Sequence, residues 1–360
     1  MGESRFALLP GAVGESDVVL HYGQPLIEQR SLESGGIVAR GDLAVLRLTG
    51  SERLSWLDSL SSQAVGTLAP GDSAETLILD PHGHIEFVLQ VSDDGTASWL
   101  MVTSQRAATA FDWLNRMRFR LDVQIADVSA DRMVITEIGD AKLNWAERGW
   151  LGWRDPWPGV SPGGFGYAPQ ALPWRASNWI VPRTAEAELV AELQQAKVPI
   201  AGLLAWQALR IAAGRPDASD LDDRSLPHEF DWLRTAVHLN KGCYRGQETV
   251  AKVHNLGRPP RRLVLLHLDG SDSVLPNPGD TVWASRDGEP REVGHVVAAA
   301  QHFELGPTAL ALVKRAVPID RELSVQTSGH EIAAGQQVLV PADAGPALDI
   351  PRMPRLGIRT

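Results

Sequence analysis

The sequence of 360 residues contains a single cysteine, Cys243. One thiol cannot form an intramolecular disulfide, and it cannot supply the four thiolates of a conventional iron–sulfur cluster or of a thiolate zinc site. No apolar run approaches the roughly 18 residues that a membrane span requires. The sequence also lacks a GxxxxGK[ST] loop and a well-placed GxGxxG motif, so it gives no support for a nucleotide cradle of either type.

Positive charge is also scarce. The 34 lysines and arginines are outnumbered by 44 aspartates and glutamates, which gives a formal net charge of −10 at pH 7. This balance argues against non-specific attraction to nucleic acid or to anionic membranes. The N-terminal segment has a short apolar run broken by Pro10 and lacks the basic region that opens a secretory signal. We therefore expect a cytoplasmic protein without a direct nucleic-acid partner, a membrane partner or a metal site of its own.

The order of the helix-like and strand-like segments predicts the fold class. They follow one another without the regular strand–helix–strand alternation of a doubly wound sheet, which indicates an α+β fold. From Arg261 onward the pattern changes to short strands separated by Pro, Gly and Asp, which is typical of a small all-β domain such as a barrel. We predict two α+β lobes in residues 10–258, a C-terminal β-barrel in residues 261–342 and a loose tail in residues 343–360.

Tryptophan is abundant, with twelve residues against three tyrosines, and five of the twelve lie in a Gly- and Pro-rich stretch. Large flat side chains suit the packing of an irregular segment, which is the interpretation we favour. The alternative is a stacking surface for a flat ligand. The five residues are Trp150, Trp153, Trp157, Trp174 and Trp179.

The surroundings of the lone thiol are unusual. Residues 241–256 read KGCYRGQETVAKVHNL. The second half has the spacing of a short helix, and we expect Gly257 to end it in the left-handed conformation. The first half clusters polar and reactive groups where a loop needs only turn formers. Next to Lys241 and Arg245 and near a helix N-terminus, Cys243 is expected to have more thiolate character than a free cysteine, as suits a nucleophile, a redox sensor or a shared metal ligand. The alternative is a small buried hydrophobic residue.

The run KGCYRGQE resembles the signature of YgfZ-type folate-binding proteins, a branch of the glycine-cleavage T-protein superfamily. This resemblance implies a three-lobed ring of two α+β lobes, partly ferredoxin-like, and a C-terminal β-barrel around a central channel for tetrahydrofolate. It also implies a folate-dependent role in the assembly or repair of iron–sulfur enzymes, including tRNA-modifying ones, so that iron–sulfur client proteins are the expected partners. Further similar segments are TGSERLSWLDSLSSQAV, LILDPHGHI, ALRIAAGRPD, SLPHE, LGRPPRRLV and ALALVKRAV.

The resemblance also assigns roles to residues, with Cys243 as the catalytic candidate. Arg210, in ALRIAAG, matches a folate-contacting arginine of T-proteins, although a solvated arginine on a helix face is the alternative. Glu229, in SLPHE, matches a family motif, and its alternative is a loop carboxylate that caps a helix. The other candidates for contacting tetrahydrofolate are Asn178, Lys241, Tyr244, Arg245, Gln247 and Glu248.

Two positions depart from the T-protein pattern. T-proteins carry an aspartate pair near the folate, and the matching positions here are Phe87 and Val88; Asn178 stands near the position of a glutamate that contacts the pterin edge. A reaction that releases a methylene group to folate N5 needs a carboxylate near the developing charge. Glu86 is adjacent, but neighbouring strand residues face opposite ways, so we expect it to be a poor substitute. An accessory role is therefore favoured, with a folate-dependent aminomethyltransferase or demethylase as the alternative.

Overall fold

The computed structural model describes residues 4–141, 143–168, 172–286 and 289–345. Its helices are short, and most have one apolar face on a sheet. Pro25 occupies the first turn of α1, where its missing N–H has no partner to lose. Helix α5 ends just before Gly214, which has a φ of +63°. This end agrees with the stop signal that Gly214 and Pro216 give in the sequence. The helices are α1 (Pro25–Glu33), α2 (Arg53–Leu60), α3 (Ser104–Met117), α4 (Glu186–Gln195), α5 (Leu203–Ala212) and α6 (Gln247–Asn255).

Strands make up most of the remaining regular structure. The chain runs β1 (Val13–Glu15), β2 (Val18–His21), β3 (Gly36–Ala39), β4 (Leu43–Thr49), β5 (Ser73–Leu79), β6 (Ile85–Asp93), β7 (Ala97–Thr103), β8 (Gln124–Asp127), β9 (Arg132–Ile138), β10 (Leu151–Arg154), β11 (Ala176–Pro182), β12 (Ile200–Ala201), β13 (Arg261–Leu268), β14 (Thr281–Arg286), β15 (Glu289–His302), β16 (Gly306–Lys314), β17 (Leu323–Thr327) and β18 (His330–Val338).

Two five-stranded sheets form the two α+β lobes. One has the order β10-β11-β9-β3-β12 and the other β5-β6-β7-β4-β8. All their pairings are antiparallel except that of β12 with β3. The sheets contact each other through a small apolar cluster that includes Val45, Met101, Val134 and Ile180. The site described below lies near this contact.

The third lobe is a closed six-stranded barrel, β13-β16-β15-β14-β17-β18. Its own core is distinct from a larger cluster that combines residues of both sheets, α5, α6 and the barrel. After β18 the chain returns to this shared cluster, where Val340 and Ala344 are buried. The tail predicted for residues 343–360 lies outside the described residues from position 346 onward. The α+β class and the C-terminal barrel are confirmed.

The tryptophans of the Gly- and Pro-rich stretch pack against the fold. Trp153, Trp157 and Trp174 are buried, and the other two are partly buried against the core of the first sheet. Trp153 donates its Nε1–H to the carbonyl of Ala74 at 3.0 Å and so joins the two lobes. The packing interpretation is confirmed. Within the described ranges, no helix combines the length and the apolar character needed to cross a bilayer.

Candidate functional site

The signature loop is attached to the second lobe through Lys241. Its Nζ donates to the carbonyl oxygens of Asp58, Ser61 and Gln63 at 2.6, 2.9 and 2.8 Å and lies 3.1 Å from the Asp58 carboxylate. Burial lowers the pKa of Lys241, whereas the contacts with Asp58 act in the opposite direction. These acceptors include carbonyls at the end of α2, which have no partner within the helix. Lys241 thus serves to hold the loop in place.

Two glycines allow the loop to approach the turn between β5 and β6. Gly246 has φ of +82°, and a Cβ atom there would lie 2.6 Å from the carbonyl oxygen of Asp80. Gly83, in the turn, has φ of +85°, and its Cβ would lie 2.9 Å from Cβ of Thr249. Both positions therefore require glycine, because any side chain would be strained and would collide. The glycines serve contact between two chain segments.

The remaining loop residues divide into anchors and exposed groups. Tyr244 is buried in the shared core, and Arg245 pairs with Glu86 at 2.7 Å. Gln247 donates to the carbonyl of Lys241 at 3.4 Å across the loop. Cys243 and Glu248, by contrast, are exposed. These contacts hold the signature loop in place and leave the Cys243 thiol exposed to solvent. This exposure excludes a buried hydrophobic role for Cys243.

A cavity of about 240 Å³ is connected to the signature loop through Glu86, which lines the cavity and pairs with Arg245, whereas no residue of 241–248 lines it. Its walls come from β6, the junction of β7 and α3, and the segment 218–223. This volume is below the roughly 300 Å³ at which ligand pockets begin, so it would hold one end of a folate-sized molecule. Apolar and charged side chains alternate around it. The lining includes Glu86, Val88, Arg106, Leu221, Asp222 and Asp223.

Four consecutive residues of β6, Ile85 to Val88, line this cavity. The pairing with β5 skips Glu86, so β6 has a bulge there and simple alternation does not apply across it. The ring of Phe87 also packs into the core of the second lobe, 6.2 Å from the ring of Trp113. Glu86 therefore reaches the same cavity as Phe87 and Val88, and whether it can substitute for the aspartates stays a prediction.

Arg210 is buried inside the fold rather than solvated on a helix face. Its terminal nitrogens Nη1 and Nη2 both donate to Asp220 at 2.9 Å, and only 1% of the residue is exposed. Gln207 accepts a further bond from Nη2. The solvated alternative is thus wrong. Through Asp220, Arg210 fixes the segment 218–223 that forms one wall of the cavity, and direct contact with a ligand stays a prediction.

Glu229 is also enclosed. Its carboxylate accepts from the backbone N–H of Leu226 at 3.0 Å, which is the capping role considered above, and pairs with Arg261 at the start of the barrel at 2.8 Å. Arg261 also binds Asp222, a residue that lines the cavity. Although burial alone would raise it, hydrogen bonds from Arg261 and Ser225 hold the pKa of Asp222 well below its usual range. Glu229 thus stabilises the cavity wall at Asp222 through Arg261, without lining the cavity itself.

Asn178 connects the two sheets. Its Nδ2 donates to Gln90 Oε1 at 2.7 Å, and its Oδ1 accepts from the hydroxyl of Thr136 at 2.6 Å. Gln90 belongs to the face of β6 that carries Val88, two residues further along the strand. Asn178 is buried, so contact with a pterin edge would require one of these bonds to be exchanged. That role stays a prediction.

Metal-binding groups are dispersed. Within the described parts of the chain, no group of three or more His, Cys, Asp and Glu side chains is arranged to hold a metal ion. His84 donates to or accepts from Asp80 at 3.0 Å, and Asp80 accepts the backbone N–H groups of His82 and His84. These contacts build the turn against which the signature loop packs.

The arrangement of lobes matches a known fold. The structure is similar to that of the glycine cleavage system aminomethyltransferase T from Bartonella henselae, with a TM-score of 0.73 over 94% of this chain and 96% of that one, at 19% identity. The sequence is 25% identical to the tRNA-modifying protein YgfZ of Aliivibrio fischeri strain MJ11 over 80% of this chain and 87% of that protein. The chain is similar to YgfZ-type proteins and has the T-protein fold.

Other comparisons give further similarities of different extent. YgfZ from Aliivibrio fischeri strain ES114 is 24% identical over 84% of this chain and 92% of its own length. A chloroplastic protein of Arabidopsis thaliana is 35% identical over 124 residues, which cover only 26% of that protein. No protein-family model matches the sequence. The similarity to YgfZ thus extends over most of both chains at low identity.

Proposed function

We propose that this chain binds tetrahydrofolate and acts as a cytoplasmic accessory protein in the assembly or repair of iron–sulfur enzymes, including tRNA-modifying ones. The observation that carries the proposal is the signature loop. Cys243 is exposed, while Lys241 contacts α2, Arg245 pairs with a residue of β6 and Tyr244 is buried in the shared core. Similarity to YgfZ and the T-protein fold support the same function. A single thiol cannot hold a conventional cluster alone, so Cys243 would contribute one ligand to a cluster shared with a client or would resolve a folate-linked intermediate.

The cavity that Glu86 lines has side chains of the kinds that would bind a reduced folate. The pterin needs an apolar wall and a carboxylate that accepts from its donor edge, and the lining offers Val88 and Leu221 with Glu86 and Asp222. The glutamate tail of folate would extend out of this cavity, which holds only one end of the molecule. When bound, the cofactor would supply a one-carbon acceptor or carrier at N5.

Titration with tetrahydrofolate tests the ligand and the cavity together. Val88→Phe adds bulk to the lining and should weaken binding roughly tenfold or more, as expected when a packed site is overfilled. Val160→Phe adds the same bulk at an exposed position and should leave binding unchanged. Intrinsic tryptophan fluorescence reports the titration. Absence of saturable quenching at millimolar tetrahydrofolate would refute folate binding.

Complementation tests the thiol. In a strain deleted for its own YgfZ-type gene, we expect the wild-type chain to restore iron–sulfur enzyme activity and Cys243→Ala to fail. Ser285→Ala, an exposed barrel position, serves as the control for expression and folding. Full rescue by Cys243→Ala would remove the thiol from the mechanism while leaving folate binding untouched.

A second candidate function is folate-dependent aminomethyl transfer or demethylation, favoured by one observation. Glu86 places a carboxylate at the cavity where Phe87 and Val88 provide none, and this carboxylate pairs with Arg245. Purified protein assayed for methylene transfer from aminomethyl or N-methyl donors distinguishes the two candidates. Turnover that disappears in Glu86→Gln would favour the transferase.

A further inference from the structure

A second recess of about 700 Å³ lies at the edge of the contact between the two sheets. We call it the Trp99 groove. It shares no lining residue with the cavity that Glu86 lines. Four arginines line it, in a chain whose net charge is −10. The lining consists of Arg5, Arg47, Trp99, Val128, Ala130, Asp131, Arg132, Arg183, Thr184 and Glu186.

Trp99 organises two of these arginines. The guanidinium carbons of Arg47 and Arg132 lie 5.4 and 5.6 Å from the centre of a Trp99 ring. Arg47 is the direct cross-strand partner of Trp99, on β4 and β7, whereas Arg132 begins β9 in the other sheet. The indole Nε1–H is held by Asp94 at 2.8 Å, which fixes the ring. One rigid aromatic side chain therefore gathers cations from both lobes.

Among the residues that line the groove, four arginines outnumber the two carboxylates of Asp131 and Glu186, while Asp17 and Asp94 border it. Arg183 pairs with Asp17 at 2.7 Å, and the Glu186 carboxylate is occupied by the hydroxyl of Ser4 and the backbone N–H of Arg5. Asp131 contributes one exposed carboxylate. Throughout the described ranges, no carboxylate lies within the 4.0 Å of an ion pair from the guanidinium groups of three residues. These are Arg5, Arg47 and Arg132.

We propose that the Trp99 groove binds a phosphate ester, carried by a free nucleotide or by an RNA strand. Guanidinium groups bind phosphate oxygens in a bidentate manner, and a dianionic or polyanionic ligand would satisfy several of them at once. Two cations held in advance on one ring lose less conformational freedom on binding than free side chains would. The expectation of no direct nucleic-acid partner came from the net charge, which does not describe a local surface.

The site is independent of the proposed folate function, and its test keeps the two apart. We expect isothermal titration calorimetry to show that adenosine 5′-monophosphate binds and that adenosine, which lacks the phosphate, does not. Arg47→Ala combined with Arg132→Ala should weaken this binding roughly tenfold or more, because two charge-assisted contacts are lost. The same double variant should still bind tetrahydrofolate as the wild type does.

The matched control is Arg291→Ala combined with Arg321→Ala, which removes the same charge from exposed barrel positions. It should bind like the wild type. A fluorescein-labelled oligoadenylate, measured by anisotropy at two salt concentrations, identifies the source of the phosphate. Binding more than about tenfold tighter than the mononucleotide, with steep salt dependence, supports an RNA strand, and equal binding supports a free nucleotide. No binding of either probe below millimolar concentration, or equal binding by the Trp99 groove variant and the wild type, overturns the proposal.

Discussion

The arginines of this protein fall into two groups that differ in their partners. Near α5 and the start of the barrel, Arg210, Arg215 and Arg261 are each matched to one or two carboxylates and are largely enclosed. Around Trp99, the guanidinium groups of Arg47 and Arg132 contact an aromatic ring and remain open to solvent. The comparison indicates that charge used to hold the lobes together is internally neutralised, whereas charge left unmatched is available to a ligand.

The largest effect should come from removing a matched arginine. Arg215 bonds Glu75 from the second sheet at 2.6 Å and Asp155 from the first at 2.9 Å. Arg215→Ala would leave both carboxylates buried without a counter-charge, so we expect the free energy of unfolding to fall by about 3–5 kcal/mol. Urea denaturation measures the change. A decrease in the free energy of unfolding of less than about 1 kcal/mol would contradict the comparison, because surface ion pairs contribute that much.

A buried group without a carboxylate partner should avoid carrying charge. His228 is fully buried, and its Nε2 contacts the carbonyl of Val250 at 3.1 Å. Burial lowers the pKa of His228 from 6.5 to about 4. The unfolded state therefore binds more protons between these values, so stability is full above pH 6.5 and is lost as the pH falls toward 4, by up to about 3 kcal/mol.

Denaturation at pH 7 and at pH 4.5 measures this loss in the wild type and in two variants. His228→Asn should reduce the difference between the two pH values, whereas His330→Gln, at an exposed barrel position, should preserve it. Burial also lowers the pKa values of His254 and His302, so part of the loss should persist in His228→Asn. An unchanged difference in His228→Asn would contradict the prediction.

Lys241 is an intermediate case, because its buried ammonium is matched mainly by backbone carbonyls. Lys241→Met keeps the stem and removes the donors, and we expect a destabilisation of about 2 kcal/mol. Hydrogen exchange should then accelerate locally in the signature loop. Lys252→Met, at an exposed position of α6, should change neither quantity. Equal behaviour of the two variants would show that the loop is held by other contacts.

The smallest effect on stability should come from the unmatched arginines. Arg47→Ala combined with Arg132→Ala removes no ion pair within the described residues, so the free energy of unfolding should change by no more than about 0.5 kcal/mol. Thermal denaturation provides the measurement. A loss of several kcal/mol would mean that these arginines protect the Trp99 edge of the sheet contact and are structural, like the matched group.

Local patterns were sufficient for much of the fold. The change at Arg261 marked the start of the barrel, and the helix of the signature segment ends at Asn255, before the prolines. Gly257 was expected in the left-handed conformation, but it is absent from the residues with positive φ. Its N–H instead donates to the carbonyls of Lys252 and Val253, which closes the helix without a left-handed residue.

The roles of the site residues depended on partners that are distant in the sequence. Lys241 finds carbonyls near residue 60, and Glu229 finds Arg261 in another lobe. No short-range sequence pattern predicts such pairs. The signature therefore identified the loop that carries Cys243 but not the side chains that hold it in place. The Trp99 groove was missed for the same reason, since Arg47 and Arg132 belong to different sheets.

The attachment of the signature loop has a mechanical consequence. Lys241 joins it to α2 and Arg245 joins it to β6, both in the second lobe, while Tyr244 sits in the core shared by all three lobes. The position of the sulfur atom therefore depends on the position of the second lobe. A change in the orientation of the second lobe would move the thiol.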